Sequence, residues 1–174
     1  MVVDFVLINP TKAVRVPNDL TYFPYLTPFG PVTIAADGRA LTGLAFEERD
    51  YPGQRRPTEL TNRAANELQE YLAGKRRAFD LPLAPAGTAF QQQVWRALQD
   101  IPYGQTRSYS EVADAIGRPS ACRAVGSANG KNPIPILIPC HRVVAASGAL
   151  GGYAWGPRVK KQLLDLEKRT LLSR

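Results

Sequence analysis

Residues 88–130 decide the fold of the C-terminal half and read TAFQQQVWRALQDIPYGQTRSYSEVADAIGRPSACRAVGSANG. Thr88, Ser108 and Ser120 each precede apolar residues spaced at i, i+3, i+4 and i+7, and hydroxyl side chains at such positions cap helices. Two short helices joined by a short turn with a glycine are typical of a helix-turn-helix. The spacing therefore predicts three helices, over 89–99, over 109–116 and after Ser120.

The third predicted helix is expected to bury Ala121, Ala124, Val125 and Ala128. At 100° per residue, its exposed face then carries Arg123 among very small residues. A helix that reads the major groove offers several long polar side chains, and this face does not. Small residues let a helix approach DNA closely, and a lone arginine can replace a base in the stack. A packing helix rich in alanine and glycine is an equally good interpretation of this segment alone.

The positive charge of the chain is confined to the same half. Residues 88–174 contain twelve Lys and Arg against five Asp and Glu, whereas residues 1–87 contain ten of each kind. The formal net charge of +7 therefore lies entirely in the C-terminal half. A basic surface of this size indicates an anionic partner, either nucleic acid or an acidic membrane.

Several classes of protein are excluded by the composition. The two cysteines, Cys122 and Cys140, and the single histidine, His141, cannot form a conventional four-ligand zinc site without several carboxylates. Apolar runs such as 134–138 are too short to span a membrane, and the N-terminus has Asp4 and no basic start to a signal peptide. We therefore expect a soluble cytoplasmic protein with reduced thiols and with no metal, cofactor or membrane partner.

The N-terminal half has the pattern of a small antiparallel sheet covered by one helix. Residues 27–31 form a turn cluster, 32–36 a strand, and Asp37-Gly38 a hairpin signal before a strand over 40–46. Thr58 can cap a helix that ends at Gly74 and buries Leu60, Ala64, Leu68 and Leu72. Residues 75–87 are predicted to be a linker. We interpret this half as a scaffold without chemistry of its own.

Residues 132–143 read NPIPILIPCHRV. Three prolines exclude a helix, so Cys140 is predicted to emerge at the end of a buried extended segment. A thiol becomes a nucleophile as the thiolate, whose formation is favoured by a nearby base or cation. Neighbouring residues of an extended chain point to opposite sides, so a water molecule is expected to link Cys140 to His141.

The signature Pro139-Cys140-His141-Arg142-Val143, with Asn132-Pro133 and the RAVG run over 123–126 before it, closely resembles the O6-alkylguanine-DNA alkyltransferases, the methylated-DNA–protein-cysteine methyltransferases. The similarity runs from about Phe90 to Glu167, and the first half matches only loosely at 27–31. The resemblance implies an α/β (α+β) fold. Residues 1–87 would form a small antiparallel-sheet, ribonuclease H-like domain, and residues 88–174 a winged helix-turn-helix-like domain that binds DNA and accepts the alkyl group.

The resemblance also implies catalytic roles. Cys140 would accept the alkyl group, His141 would remove the thiol proton through water, and Glu167 would orient His141. Asn132 would brace the turn before the cysteine, and Tyr109 would donate to the N3 side of the leaving guanine.

The partner implied by the resemblance is double-stranded DNA that carries O6-alkylguanine, bound through the minor groove. Arg123 would take the place of the flipped nucleotide, within a DNA-binding face formed by Arg123, Ala124, Gly126, Ser127, Gly130 and Lys131. The protein would act once, as a monomer, in the cytoplasm or at the nucleoid of a prokaryote, with cooperative assembly along DNA as an alternative. Phosphate contacts are expected from some of Arg96, Arg107, Arg118, Lys131 and Lys160, and Cys122 is expected to be a packing residue.

The substrate pocket implied by the resemblance is lined by Pro135, Val143, Tyr153 and Ala154. The backbone carbonyls of Cys140 and Val143 would accept from the exocyclic amine of guanine. Many relatives place a hydroxyl residue at position 154, so we expect the backbone amide of Ala154 to face O6.

Two functions of other classes remain open from the residues themselves. One is a non-catalytic helix-turn-helix regulator that prefers a particular base sequence. The other is a thiol hydrolase that uses Cys140, His141 and Glu167 and turns over on an ester.

Overall fold

The N-terminal sheet has four strands in the computed structural model, which describes residues 19–172. The strands are β1 (Thr21–Thr27), β2 (Gly30–Ala36), β3 (Leu41–Ala45) and β4 (Gln54–Arg55), in the order β3-β2-β1-β4. The first three pair in antiparallel fashion, as predicted for β2 and β3, whereas no strand was predicted over β1. Asp4, on which the expectation of no signal peptide was based, lies outside the described residues.

The short strand β4 departs from the expected antiparallel sheet, because it runs parallel to β1. Gly53 makes this possible: its φ is +115°, and a Cβ added there would lie 2.2 Å from the carbonyl oxygen of Leu20. The chain therefore turns tightly against the start of β1, and Gln54 N–H donates to the Leu20 carbonyl at 2.9 Å.

The predicted turn and helix of this half are confirmed. At the β2–β3 hairpin, Asp37 Oδ1 accepts from two backbone N–H groups of the turn, and Gly38 has a φ of +85°. Helix α1 (Glu59–Leu72) begins at a capping box on Thr58 and buries Ala64, Leu68 and Leu72, while Leu60, also predicted to be buried, is half-buried. The helix contacts β1 and β2 and so covers one face of the sheet.

Residues 75–87, predicted to be a linker, are ordered along the edge of the sheet. Leu41 N–H of β3 donates to the Pro82 carbonyl at 2.9 Å, and Ala84 N–H donates to the Leu41 carbonyl at 2.8 Å. Phe79, Leu81 and Leu83 are partly buried against the core. The prediction missed this because prolines and alanines dominate the local composition, whereas the pairing partner lies about 40 residues earlier.

The C-terminal half contains the predicted helices and a small parallel ladder. Its elements are α2 (Ala89–Gln99), β5 (Arg107–Ser108), α3 (Tyr109–Ala115), α4 (Cys122–Gly130), β6 (Val143–Val144) and α5 (Pro157–Leu172). Thr88 and Ser108 cap α2 and α3 through capping boxes, as predicted. Strands β5 and β6 pair at Arg107↔Val143 and Ser108↔Val144 and hold the helix-turn-helix to the segment that contains the cysteine.

Two predictions about the third helix were wrong. Ser120 does not cap it, because Pro119–Ala121 forms a 3-10 turn and α4 begins afterwards without a side-chain cap. Ala121 is half-buried and Ala124 is exposed. The buried stripe is rotated towards Asn129, whose side-chain amide donates to the Cys140 carbonyl at 3.3 Å.

One buried cluster runs through both halves, from Val32 and Ile34 of the sheet to Leu98, Ile138 and Leu163. Mixed helix and sheet content confirms the expected α/β class. Across residues 19–172, no helix is both long enough and apolar enough to cross a membrane.

Trp95 should be a sensitive point of this core, since it is 1% exposed and its indole N–H donates to the Ala128 carbonyl at 2.9 Å. We expect Trp95→Phe to lower the free energy of unfolding by roughly 2–4 kcal/mol, because it leaves a cavity and removes the indole donor from the Ala128 carbonyl, which then keeps only the Lys131 N–H at 3.2 Å. Denaturant unfolding measures this. The half-buried Trp155 is the matched control, and equal losses for Trp95→Phe and Trp155→Phe would contradict the assignment.

Candidate active site

The segment before Cys140 forms a clamped turn and not the predicted extended run. Asn132 Oδ1 accepts from Ile134 N–H at 3.0 Å, and Asn132 Nδ2 donates to the Ile138 carbonyl at 2.8 Å. Ile138 N–H also donates to the Ile134 carbonyl at 3.0 Å. Asn132 therefore lies where it closes the turn from both sides. Since Pro133, Pro135 and Pro139 lack N–H groups, these side-chain bonds replace backbone pairing.

Ile136, at the tip of this turn, has a φ of +70°, the only positive φ of a non-glycine residue within 19–172. A branched side chain rarely adopts this conformation, which costs ~1–3 kcal/mol and persists only where the surroundings enforce it. The clamp by Asn132 and the burial of Ile136 supply that enforcement. The strain lies four residues before the candidate nucleophile.

Cys140 begins a 3-10 helix (Cys140–Arg142) and is buried. Burial raises the pKa of its thiol to about 11, although the Asn132 side chain, the Lys160 ammonium and the Tyr153 hydroxyl act in the opposite direction. At neutral pH the sulfur therefore carries its proton. A reaction at this sulfur requires a base that removes the proton as the new bond forms.

The hydrogen bonds of His141 suit it to act as this base, because they leave one ring nitrogen with a free lone pair. Its side chain is fully buried, and Nε2 lies 3.0 Å from Glu167 Oε1. An ionised carboxylate can only accept, so the ring proton is on Nε2 and the lone pair is on Nδ1. Nδ1 is buried and has no partner within the described residues. Burial also lowers the pKa of His141, against the opposing effect of Glu167, so the ring is neutral at rest.

Glu167 is held by donors from several segments. Arg142 donates through Nε and Nη2 at 2.9–3.1 Å, and Gly104 N–H donates to Oε2 at 2.8 Å. The Tyr71 hydroxyl donates to Oε1 at 2.6 Å. Burial alone would raise the pKa of this carboxyl, but its bonds to His141 and Arg142 lower the pKa to about 2. Glu167 is therefore a carboxylate at neutral pH.

Lys160 is a residue whose predicted place was wrong. It was named among five residues from some of which phosphate contacts were expected, yet it is 0% exposed and its ammonium donates to the Val143 carbonyl at 2.6 Å. Burial lowers its pKa, and the neighbouring Cys140 raises it. A signal was present in the sequence, since Lys160, Leu163, Leu164 and Glu167 follow i, i+3, i+4, i+7 and form the buried face of α5.

Tyr71 was missed altogether, because the N-terminal half was interpreted as a scaffold. Its ring is fully buried at the end of α1, and its hydroxyl reaches both Glu167 and, at 3.3 Å, His141 Nε2. The helical stripe marks Tyr71 as a core aromatic. Nothing local predicts a partner 96 residues later.

The predicted DNA-binding face is largely exposed on and after α4. Arg123, Ala124, Ser127, Gly130 and Lys131 are exposed, and Gly126 is half-buried against the Tyr109 ring. The Arg123 guanidinium has no hydrogen bond or ion pair with residues 19–172. Cys122, expected to pack inside, is exposed because α4 begins at this residue with its first turn outward.

Tyr109 and Tyr153 lie near Cys140 and differ in burial and in their neighbours. Tyr109 is half-buried. Its burial raises the pKa of the phenol, and the nearby Cys140 raises it further to a smaller extent. Gly151, with a φ of +67°, lets the chain pass over it, since a Cβ there would lie 3.0 Å from Tyr109 Oη. The Tyr153 hydroxyl is buried beside the Cys140 thiol and has no conventional hydrogen-bond partner in the described part of the chain.

The remaining pocket residues differ in exposure. Pro135 and Val143 are buried and Ala154 is exposed. The Cys140 carbonyl already accepts from the Asn129 side-chain amide and from Val143 N–H, which occupy both of its lone pairs, whereas the Val143 carbonyl accepts from the Lys160 ammonium. A carbonyl oxygen has two lone pairs, so the Val143 carbonyl can accept a second donor. Within residues 19–172 no group of three His, Cys, Asp or Glu side chains could hold a metal ion, and both cysteines are free.

The hydrogen bonds to Glu167 should make the free energy of unfolding depend on pH. A carboxyl whose folded pKa is depressed to about 2 stabilises the fold above its ordinary pKa of 4.5, and this contribution is lost as the pH falls through that window. Glu167→Gln should lower the free energy of unfolding at pH 7 by roughly 3 kcal/mol, since Arg142 loses its buried partner. The deficit should shrink towards pH 3 in denaturant titrations. The control is Asp165→Asn, which changes a half-exposed carboxylate of the same helix that pairs with Lys161 at the surface. A Glu167→Gln deficit that stays constant with pH would contradict this account.

Two family models match the chain: the ribonuclease-like domain of 6-O-methylguanine DNA methyltransferase over residues 20–85, and its DNA binding domain over 89–169. A curated methylated-DNA–protein-cysteine methyltransferase of Mycobacterium tuberculosis is 51% identical over 148 residues, covering 82% of this chain and 88% of the relative. One of Methanosarcina barkeri is 47% identical over 154 residues, covering 83% and 95%.

Solved structures agree with the sequence comparisons. The crystal structure of Mycobacterium tuberculosis OGT in complex with DNA aligns with a TM-score of 0.81 at 48% identity, covering 86% of this chain and 94% of that chain. The methyltransferase of the archaeon Pyrococcus kodakaraensis aligns with a TM-score of 0.51 at 25% identity. The expected fold is thus confirmed in both halves. The chain belongs to the 6-O-methylguanine DNA methyltransferase family, the family that the signature around Cys140 resembles.

Proposed function

We propose that this protein repairs O6-alkylguanine in double-stranded DNA by transferring the alkyl group, chiefly methyl, to Cys140. The observation that carries the proposal is the pairing of a buried thiol with a buried neutral imidazole. The imidazole Nδ1 lone pair is free, and its Nε2–H is held by Glu167. A thiol whose pKa is raised to about 11 needs such a base.

The transfer balances as a single displacement. The Cys140 proton passes to His141 Nδ1 through a water, and the sulfur electron pair forms the bond to the alkyl carbon. The bond between that carbon and O6 breaks, and its electron pair stays on the guanine. Tyr109, whose hydroxyl has no hydrogen bond to other described residues, donates to the N3 side as negative charge develops there.

The reaction stops after one turnover. The product is a thioether, which is a poor leaving group, and no second nucleophile faces it among the described site residues. The protein is therefore consumed as it repairs, in contrast to a thiol hydrolase, whose thioester intermediate is cleaved by water.

DNA docks through the exposed face of α4 in the minor groove, and one protein copy acts on each lesion. Small side chains allow close approach of the helix, and Arg123 fills the space of the extruded nucleotide. Residues 88–174 form the DNA-binding and alkyl-acceptor domain, and residues 1–87 form its partner domain. The protein works in the cytoplasm, at the nucleoid of a prokaryote.

The stoichiometry is testable by intact mass. Incubation with duplex DNA that contains O6-methylguanine should add one methyl group per protein chain and no more, however large the excess of DNA. Cys140→Ala should gain nothing, whereas Cys122→Ala, which removes the exposed thiol, should behave as wild type. Repair of more lesions than protein molecules would refute the proposal.

Substitutions of Arg123 and Lys131 should have different effects on nucleotide flipping and on DNA binding. Arg123→Ala is expected to change DNA affinity by less than roughly threefold but to slow transfer from duplex by at least about tenfold, because extrusion loses its wedge. Lys131→Ala should weaken binding uniformly and reduce the salt slope of log affinity by about 0.9.

A substrate that needs no extrusion provides the control. Transfer from free O6-methylguanine base should proceed at the wild-type rate in Arg123→Ala. A variant that loses affinity and rate in equal measure would place Arg123 among ordinary phosphate contacts.

A further inference from the structure

Tyr71 is the one side chain of the N-terminal half whose polar atom reaches the catalytic group within the described residues. Its hydroxyl donates to Glu167 Oε1 at 2.6 Å and lies 3.3 Å from His141 Nε2. All three side chains are fully buried, so water does not compete for these bonds. Burial and the Glu167 charge raise the phenol's pKa well above its ordinary value, so the hydroxyl keeps its proton.

The Tyr71 hydroxyl and His141 Nε2 each carry one proton, and this determines which atom donates in each hydrogen bond to Glu167. The single hydroxyl proton goes to the carboxylate, the shorter and charged contact. The hydroxyl oxygen then presents lone pairs, and the nearby Nε2–H can share its proton between Oε1 and this oxygen. Tyr71 therefore favours the tautomer that leaves Nδ1 free.

The position of the Tyr71 hydroxyl is fixed by aromatic packing from both halves and by the helix that carries it. The Tyr71 ring packs edge-on against Tyr103 of the C-terminal half at 5.9 Å between centroids, and it packs at a tilt of 40° against Phe79 of the N-terminal half at 5.3 Å. Helix α1 is anchored at its start by the Thr58 capping box and rests on the sheet. The hydroxyl is thus carried by a helix of the N-terminal half that contains no other group of the relay.

We propose that Tyr71 is a positioning residue for alkyl transfer, through which the N-terminal half holds Glu167 and the His141 ring in the reactive arrangement. The inference rests on the proposed transfer to Cys140. It assigns the sheet and its helix a part in the chemistry beyond that of a scaffold.

The first test is the rate of a single turnover. Tyr71→Phe should slow transfer from O6-methylguanine duplex roughly tenfold, since small displacements of a catalytic group are costly, with DNA affinity unchanged. Tyr22→Phe is the matched control, because it removes a 2.9 Å tyrosine-to-carboxylate bond, to Asp50, from the same half but away from the site. Tyr22→Phe should transfer at the wild-type rate.

The second test measures the protonation of the His141 imidazole directly. His141 is the only histidine of the chain, so nitrogen-15 NMR of untagged protein shows a single imidazole. Wild type should show a protonated Nε2 and a bare Nδ1. In Tyr71→Phe the titration midpoint should move upward, because Oε1 regains the electron density that it shared with the hydroxyl.

The outcomes are distinct. A Tyr71→Phe protein with wild-type rate, or with a slower rate but an unchanged imidazole titration, overturns the inference. If that variant does not fold, wild type still decides, since a slowly exchanging downfield hydroxyl proton with an Overhauser effect to the imidazole is expected and its absence overturns the inference. Failure of wild type to gain a methyl group would instead refute the proposed function, and the imidazole spectra need no DNA.

Discussion

The buried carboxylate of Glu167 is the charge on which the assembly of this molecule depends. Its donors come from α1, from the turn after α2 and from the cysteine segment, while the carboxylate itself is carried by α5. A buried charge without partners is strongly unfavourable, so these segments must arrive together. The interaction that orients the relay therefore also joins the two halves of the fold. Stability and reactivity share the same few hydrogen bonds.

Local signals carried most of the sequence-based prediction. The Thr58, Thr88 and Ser108 caps and the Asp37-Gly38 hairpin depend on neighbouring residues, and all four were placed correctly. The predicted start of the third helix was wrong for a local reason as well, because Pro119 begins a 3-10 turn where a cap at Ser120 was expected. The site residues came from the family signature, and the structure brings Cys140, His141, Asn132 and Glu167 into one buried region.

Long-range contacts account for what the sequence did not reveal. Tyr71 and Lys160 are polar groups on apolar stripes, and their partners lie on other elements. Lys160 was interpreted through its charge although its spacing placed it inside. Its burial, together with that of Arg142, means that two of the eleven positive side chains that the structure describes over residues 88–172 face the interior. The basic surface offered to DNA is smaller than the composition indicates, and part of the charge serves the thiol and the carboxylate.

The ordered segment over residues 82–84 has a further consequence for how the chain tolerates change. Strand β3 is an edge of the sheet, and its outward N–H groups at Leu41 and Leu44 are occupied by the carbonyls of Pro82 and Pro133. Unpaired edges are templates on which chains associate and aggregate. A connection that reads as a flexible tether thus shields the sheet from intermolecular pairing. Cleaving or lengthening it would open that edge to other chains, so fusions and insertions are better placed elsewhere.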